Sequence, residues 1–161
     1  MRTLLPALLV TALFASGCPS AYQRTYDQET QRLDAEQRAR EQQQEAERQE
    51  ARKYVAIVLF AVNSDEIDEA GARELEWFLE QIAPFPHVSI DIKGYTDSTG
   101  SEGNNQTLSN KRAWAVQDYL VSRGVSADHV TASAYGADEP ARDNVSAKGR
   151  KQNRRAEVRV R

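Results

Sequence analysis

Hydrophobic residues are distributed very unevenly along this 161-residue chain. Residues 22–53 contain one large aliphatic side chain, Leu33, whereas residues 54–60 are almost all apolar. Residues 88–92 instead alternate apolar and polar side chains. A short apolar run predicts a strand buried on both faces, and an alternating run predicts a strand with one buried face. The first predicted strand of a folded domain is therefore at residues 54–60, and the second begins at residue 88.

Two helices are predicted from a different spacing of apolar residues. Residues 69–83 carry Leu75, Phe78, Leu79 and Ile82 on one stripe, and Asp68 before them is a typical N-cap. A second helix is predicted at residues 105–123, with Gly124 in the position of a left-handed C-cap. Two more strands are predicted, at residues 130–135 and around Ala156, Val158 and Val160, with a polar loop over residues 136–153 between them. The order β-α-β-α-β-β predicts an α/β sandwich, with helices packed on one side of a mixed sheet.

The residues before the domain indicate a targeting signal and a spacer. Residues 4–15 form an apolar run, too short for the roughly 20 residues that span a bilayer, and small residues lead from it to Cys18. Small residues directly before a lone cysteine resemble a bacterial lipobox, and this resemblance implies cleavage before Cys18 and lipidation of Cys18; the alternative is a plain secretory signal. We therefore expect a lipoprotein signal peptide at 1–17, a lipidated Cys18 with a Gln/Glu/Arg-rich tether at 18–53, and the folded domain at 54–161. The composition of the tether fits a solvated helix and a disordered linker equally well, and apolar heptads for a coiled coil are missing.

Composition excludes several classes of function. The net charge of −3 gives no reason to expect nucleic-acid binding. The chain has one cysteine and two distant histidines, His87 and His129, so neither a metal site nor a cofactor is expected. Eight Lys/Arg against two Asp/Glu in residues 142–161 indicate either a solvated surface or a basic rim that faces an acidic partner.

Asp97 and Arg112 are the leading candidates for a binding site. Asp97 follows the second predicted strand among turn-forming residues, and Arg112 lies near the start of the second helix. Helical side chains lean towards the helix N-terminus, so Arg112 is expected to point at the loop that holds Asp97. Together with the free N–H groups of the helix start, the two charges suit a ligand that carries both an ammonium and a carboxylate. The structural alternatives are an Asx-turn for Asp97 and a simple ion pair for Arg112.

A longer set of residues resembles a known family, the OmpA-like C-terminal domain. The matching residues, in chain order, are Gly94-Tyr95-Thr96-Asp97, Gly100, Asn105, Leu108-Ser109, Arg112-Ala113, Tyr119-Leu120, Gly124-Val125, Tyr135-Gly136, Pro140, Asn144, Gly149-Arg150 and Asn153-Arg154-Arg155. With its lipobox, the chain looks like a peptidoglycan-associated lipoprotein.

This resemblance implies non-covalent binding of peptidoglycan through the diaminopimelate of its stem peptide. The family's binding Asp and Arg fall on Asp97 and Arg112, and the positions that accompany them fall on Thr96, Asn105, Leu108 and Arg154. The resemblance further implies an outer-membrane protein, held on the periplasmic face of a Gram-negative envelope by lipid on Cys18. Membership of the Tol-Pal system, with Tol-type periplasmic proteins as partners, stays open.

Catalysis is not expected from this sequence. The segment Asp97-Ser98-Thr99-Gly100 differs by one residue from the Asp-Thr/Ser-Gly of aspartic peptidases, and no second copy accompanies it. An arginine beside the aspartate would lower the carboxyl pKa rather than let two carboxyls share a proton. The alternative function is an envelope scaffold or adaptor whose main role is to bind another periplasmic protein.

Overall fold

The computed structural model describes residues 20–161. The described residues belong to two compact units, which divide between Arg40 and Glu41. The predicted signal peptide at 1–17 and the predicted lipidation site Cys18 lie outside the described residues. The helices are α1 (Ala21–Ala51), α2 (Glu69–Ile82), α3 (Glu102–Ser122) and α4 (Ala147–Asn153), and the strands are β1 (Val55–Leu59), β2 (Ile90–Gly94), β3 (Val130–Ala134) and β4 (Arg155–Val160).

The Gln/Glu/Arg-rich segment is helical rather than a disordered linker. In the first unit the described residues from Ala21 onward lie in α1, and their side chains are exposed. At the other end of α1, within the second unit, Ala51 is fully buried in the core of the folded domain. Among the described residues, no helix combines the length and apolar content needed to cross a membrane.

The sheet is four-stranded and mixed, and its order is β1-β4-β2-β3. The last strand, β4, lies between β1 and β2 and is antiparallel to both, whereas β2 and β3 are parallel. On one face, buried residues such as Val58, Ile92 and Val158 pack with apolar residues of α2 and α3, which contact the sheet. The predicted fold class, an α/β sandwich with helices packed on one side of a mixed sheet, is confirmed.

Two local predictions are wrong. Strand β1 was predicted to be buried on both faces, but it is buried on one face only, because the helices cover a single face of the sheet. Successive side chains of a strand alternate between faces, and Ile57 is therefore 46% exposed. The predicted loop at 136–153 contains the short helix α4. The Ser146 hydroxyl caps this helix by accepting a hydrogen bond from the Gly149 N–H at 3.0 Å.

A close contact between α3 and β2 fixes the position of the candidate site. Gly94 ends β2, and a Cβ atom placed there would lie 2.0 Å from the Ser109 carbonyl oxygen of α3. A glycine is therefore required at this point for the helix to approach the strand. The Ser109 hydroxyl also accepts a hydrogen bond from the Gly136 N–H at 2.9 Å, which holds the loop after β3 against α3.

Candidate functional site

A polar cleft lies where the carboxyl ends of β1 and β2 meet the start of β4 and the N-terminal half of α3. Its volume is about 230 Å³. All six residues that the sequence and the resemblance selected line it: Thr96, Asp97, Asn105, Leu108, Arg112 and Arg154. The structure thus brings together residues that are up to 58 positions apart in the sequence. The role of these residues in binding a ligand stays a prediction.

Asp97 is fixed by two hydrogen bonds, one to each carboxylate oxygen. Its Oδ1 accepts the Thr99 N–H at 2.9 Å, which is the local Asx-turn that the sequence allowed. Its Oδ2 accepts a hydrogen bond from Arg154 Nη1 at 3.0 Å. Only 10% of the Asp97 side chain and 13% of the Arg154 side chain are exposed, so solvent screens this pair weakly.

The carboxyl of Asp97 is held in its ionised form. Burial alone would raise its pKa, but the hydrogen bonds from Thr99 and Arg154, together with the positive charge of Arg154, outweigh that effect. The pKa of Asp97 therefore lies below its ordinary value of 3.8. A permanent negative charge at this position suits the binding of an ammonium group.

Arg112 is fully buried and is bound by backbone carbonyls rather than by an acid. Its Nε donates to Ser64 O at 2.9 Å, its Nη1 to Tyr95 O at 2.8 Å and its Nη2 to Ala61 O at 3.1 Å. The guanidinium also lies over the Phe60 ring, 5.0 Å from the ring centroid. These contacts tie α3 to the end of β2 and to the loop after β1.

The pKa of Arg112 reflects this burial. Desolvation, followed by the nearby positive charge of Arg154, lowers it to about 10, while Asp97 and Asp65 act in the opposite direction. Arg112 is still cationic at neutral pH. A guanidinium has five N–H donors, and the three carbonyls use three of them.

The structure decides between the alternatives that the sequence left open for Asp97 and Arg112. The sequence offered a direct ion pair of Arg112 with Asp97 or with another surface acid as the alternative to a ligand site. In the structure Arg154 is the partner of Asp97, and Arg112 binds carbonyls instead. The two charged groups are not in contact. The negative charge of Asp97 nevertheless acts to raise the pKa of Arg112, so the two groups interact electrostatically.

Two further polar side chains line the cleft with unused hydrogen-bonding capacity. The Thr96 hydroxyl oxygen is buried and has no hydrogen-bond partner among the described residues. Asn105 is 7% exposed, and its side chain makes no hydrogen bond within the described part of the chain. Buried polar groups are normally satisfied in native proteins, so unpartnered groups beside a cleft point to a ligand or to bound water.

The sequence did not identify the residues that support the charged loop. Asn153 is fully buried, and its Nδ2 donates to Asn144 Oδ1 at 2.9 Å. The same Asn144 oxygen accepts the Ser98 N–H at 3.1 Å, next to Asp97. Asn63 also lines the cleft, with a left-handed φ of 53° that asparagine tolerates better than most residues. Asn144 and Asn153 are among the residues that carry the family resemblance, and this resemblance is the sequence signal that could have identified them.

Taken together, these features define a small α/β domain with a charged cleft at the carboxyl ends of β1 and β2, beside the start of β4. The sequence model of the OmpA family matches residues 59–154, and the chain belongs to this family.

Relatives and solved structures agree with this membership. Over 79 residues the chain is 44% identical to the peptidoglycan-binding protein ArfA of Mycobacterium tuberculosis. This alignment covers 49% of the chain and 24% of that relative. Over 104 residues it is 36% identical to outer membrane porin F of Pseudomonas aeruginosa, covering 64% of the chain and 30% of the relative. The chain thus spans less than a third of each of these two proteins. The crystal structure of the peptidoglycan-associated lipoprotein from Burkholderia pseudomallei aligns with a TM-score of 0.62 at 27% identity, over 66% of this chain and 90% of that one.

Proposed function

We propose that this protein binds peptidoglycan non-covalently, through the diaminopimelate of the stem peptide. The observation that carries the proposal is one cleft that holds an ionised carboxylate, a buried guanidinium and a buried hydroxyl without a partner. The free end of diaminopimelate carries an ammonium and a carboxylate on one carbon, which matches these charges. Two similar proteins, one named as peptidoglycan-binding and one as peptidoglycan-associated, support the same ligand.

The charges suggest how the ligand is oriented. The ammonium approaches Asp97. It donates a hydrogen bond to Asp97 Oδ2, either together with Arg154 or in place of Arg154. The carboxylate then lies near the guanidinium of Arg112, which lines the same cleft. The Thr96 hydroxyl and the Asn105 amide supply neutral hydrogen bonds in the same space.

The affinity of a single site is expected to be modest. Two charge-assisted contacts contribute ~1.5–3 kcal/mol each, so the pair gives about 3–6 kcal/mol before the costs of binding. A free energy of about −4.1 kcal/mol corresponds to a Kd of 1 mM. Such weak binding is sufficient when many anchored copies face a polymeric wall, because the local concentration is high.

The proposal is of a binding site and not of an enzyme. A general acid or base works best with a pKa near the operating pH, and the pKa of Asp97 is shifted away from it. The residues that line the cleft include neither a histidine nor a cysteine that could activate or act as a nucleophile.

We further propose that the protein is an outer-membrane lipoprotein that tethers this membrane to the wall. Lipid on Cys18 would provide the anchor, since two or more acyl chains hold a protein stably on a bilayer. The likeness to an outer membrane porin and to a lipoprotein supports this location. A role in the Tol-Pal system, with Tol-type proteins as partners, is a finer prediction of the same kind.

Sedimentation with isolated peptidoglycan tests the wall-binding proposal. Asp97→Asn keeps the shape of the side chain but removes its charge, so we expect the fraction that pellets with the wall to fall at least tenfold. The matched control is Asp118→Asn, which removes the same charge from an exposed position on α3 outside the cleft. Undiminished pelleting of Asp97→Asn, with the control unchanged, would overturn the proposal.

Membrane fractionation tests the anchor separately. Cys18→Ser removes the thiol that lipidation requires, so we expect the variant to leave the membrane fraction while it still pellets with isolated wall. Continued recovery with the outer membrane would overturn the proposed anchor and leave the wall site unaffected.

A further inference from the structure

A groove along α3 adjoins the charged cleft. This groove has a volume of about 310 Å³ and is lined by Asn63, Asn104, Thr107, Leu108 and Lys111. Three of these residues, Asn63, Asn104 and Leu108, line the charged cleft as well. A ligand that extends beyond the cleft past these shared residues therefore meets the groove.

Lys111 is the only charged residue among those that line the groove. It is exposed, and its ammonium makes no hydrogen bond or ion pair with any residue of 20–161. The neighbouring Arg112, by contrast, uses three of its donors on carbonyls. The ammonium of Lys111 is therefore available to a ligand, and Asn104 and Thr107 supply polar groups beside it.

The other side of the cleft has the opposite charge. A second groove, of about 240 Å³, shares Gly100 and Asn105 with the cleft and is lined by two acids, Glu102 and Asp138. The two grooves that border the cleft therefore differ in charge, with Lys111 in one and Glu102 and Asp138 in the other. This polarity favours a ligand whose additional negative charge lies on the Lys111 side.

We propose that the groove at Lys111 is a second subsite, which binds a free carboxylate on the residue next to diaminopimelate in the wall peptide. The proposal rests on the proposed function, because it takes diaminopimelate as the occupant of the charged cleft. It adds a specificity: the site distinguishes wall peptides in which this neighbouring carboxylate is free from those in which it is amidated.

The dimensions agree with this assignment. Lys111 follows Asn104 by seven residues, or about 10 Å along the helix axis at ~1.5 Å per residue. Its side chain leans back towards the helix N-terminus and so towards Thr107 and the cleft. An extended peptide advances about 3.3–3.6 Å per residue. A group one or two residues from the diaminopimelate thus falls within reach of the ammonium.

Binding of two synthetic peptides to the full chain tests the subsite. Both contain γ-linked glutamate followed by diaminopimelate, and they differ only in whether the glutamate α-carboxyl is free or amidated. We expect the wild-type protein to bind the free acid about fivefold more tightly, as for a solvent-accessible ion pair. Lys111→Gln is expected to bind both peptides equally, and Lys111→Arg is expected to keep the preference.

Lys148→Gln is the matched control, since it removes one exposed lysine charge outside the cleft and both grooves. It should keep the preference for the free acid. If Lys111→Gln retained the wild-type preference, or if wild type had none while free diaminopimelate still bound, the subsite would be refuted on its own. If free diaminopimelate failed to bind wild type, the proposed function would fail and the subsite with it.

Discussion

The two ends of the sheet contain cavities of opposite character. Beyond the carboxyl ends of β1 and β2 lies the charged cleft, of about 230 Å³, with Asp97, Arg112 and Arg154. At the start of β2 lies a larger groove of about 420 Å³, lined mainly by apolar residues of α2, of β2 and of the loops that follow α2 and α3. The groove includes Leu79, Phe85 and Val125. The larger cavity is thus the one with fewer buried charges.

This difference shows that buried charge identifies the site better than volume does. Charges are costly to bury, and each one in the cleft has specific hydrogen bonds that offset the cost: carbonyls for Arg112, and Thr99 with Arg154 for Asp97. The apolar residues of the groove are edge residues of the core and need no ligand to explain them. Function is therefore expected to follow the charged end, and stability to depend on both ends.

The largest effect is expected from removing the Arg112 guanidinium. Arg112→Met would leave three carbonyl oxygens without their donor, at about 1–3 kcal/mol for each buried group. We expect the melting temperature to fall by roughly 10 °C or more and wall binding to be lost. Thermal unfolding followed by circular dichroism measures the first effect, and sedimentation with peptidoglycan measures the second.

Arg112→Lys separates the two roles of this residue. It keeps the charge but loses the planar fork, so it should recover part of the stability and little of the binding. A melting temperature of Arg112→Met equal to that of wild type would contradict the structural role of the carbonyl contacts.

A smaller effect, confined to stability, is expected at the apolar groove. Phe85 packs against the core and lies 6.5 Å from Tyr54 between ring centroids. Because Phe85 is only partly buried, Phe85→Ala should cost about 1–3 kcal/mol. Wall binding, measured well below the melting temperature, should equal that of wild type. Loss of binding as large as that of Asp97→Asn would erase the distinction between the two ends.

The smallest effect is expected from moderate acidification. Since the pKa of Asp97 is lowered in the folded state, its carboxylate and the stability that it provides persist as pH falls, and both are lost only when pH passes through that lowered value. The residues that line the cleft include no histidine, the side chain that ordinarily titrates between pH 5 and 8. Sedimentation should therefore be constant from pH 7 to about pH 5. A steep loss within this range would indicate a different titrating group at the site.

Much of the fold could be predicted because the local signals agreed with one another. Asp68 caps α2 as expected, with its Oδ1 accepting the Gly71 N–H at 2.8 Å, and β4 alternates apolar and charged residues. Helix α4 was missed because its seven residues are mostly polar and give no apolar stripe. The exposure of Ile57 was missed because an apolar run does not reveal which face of a strand the helices cover.

The composition of the site was predictable, but the pairing of its charges was not. The position of Arg112 on a helix indicated that its side chain would point towards Asp97. The carbonyls of Ala61 and Ser64 that it binds belong to a loop about 50 residues earlier, and their directions depend on the complete fold. The carbonyl oxygen of Phe60 accepts a hydrogen bond from Arg154 Nε at 3.1 Å, which fixes the start of β4. Arg154 can reach Asp97 because of this contact.

The most direct measurement is a calorimetric titration of the wild-type chain with three small molecules: free meso-diaminopimelate, its di-N-acetyl derivative and its diamide. The first keeps both charges at each end, whereas the di-N-acetyl derivative lacks the ammonium at both ends and the diamide lacks the carboxylate at both ends. If the cleft binds an ammonium at Asp97 and a carboxylate near Arg112, diaminopimelate should bind most tightly and each derivative more weakly. Equal binding of all three, or binding that Asp97→Asn leaves intact, would contradict recognition of a zwitterion by the charged cleft.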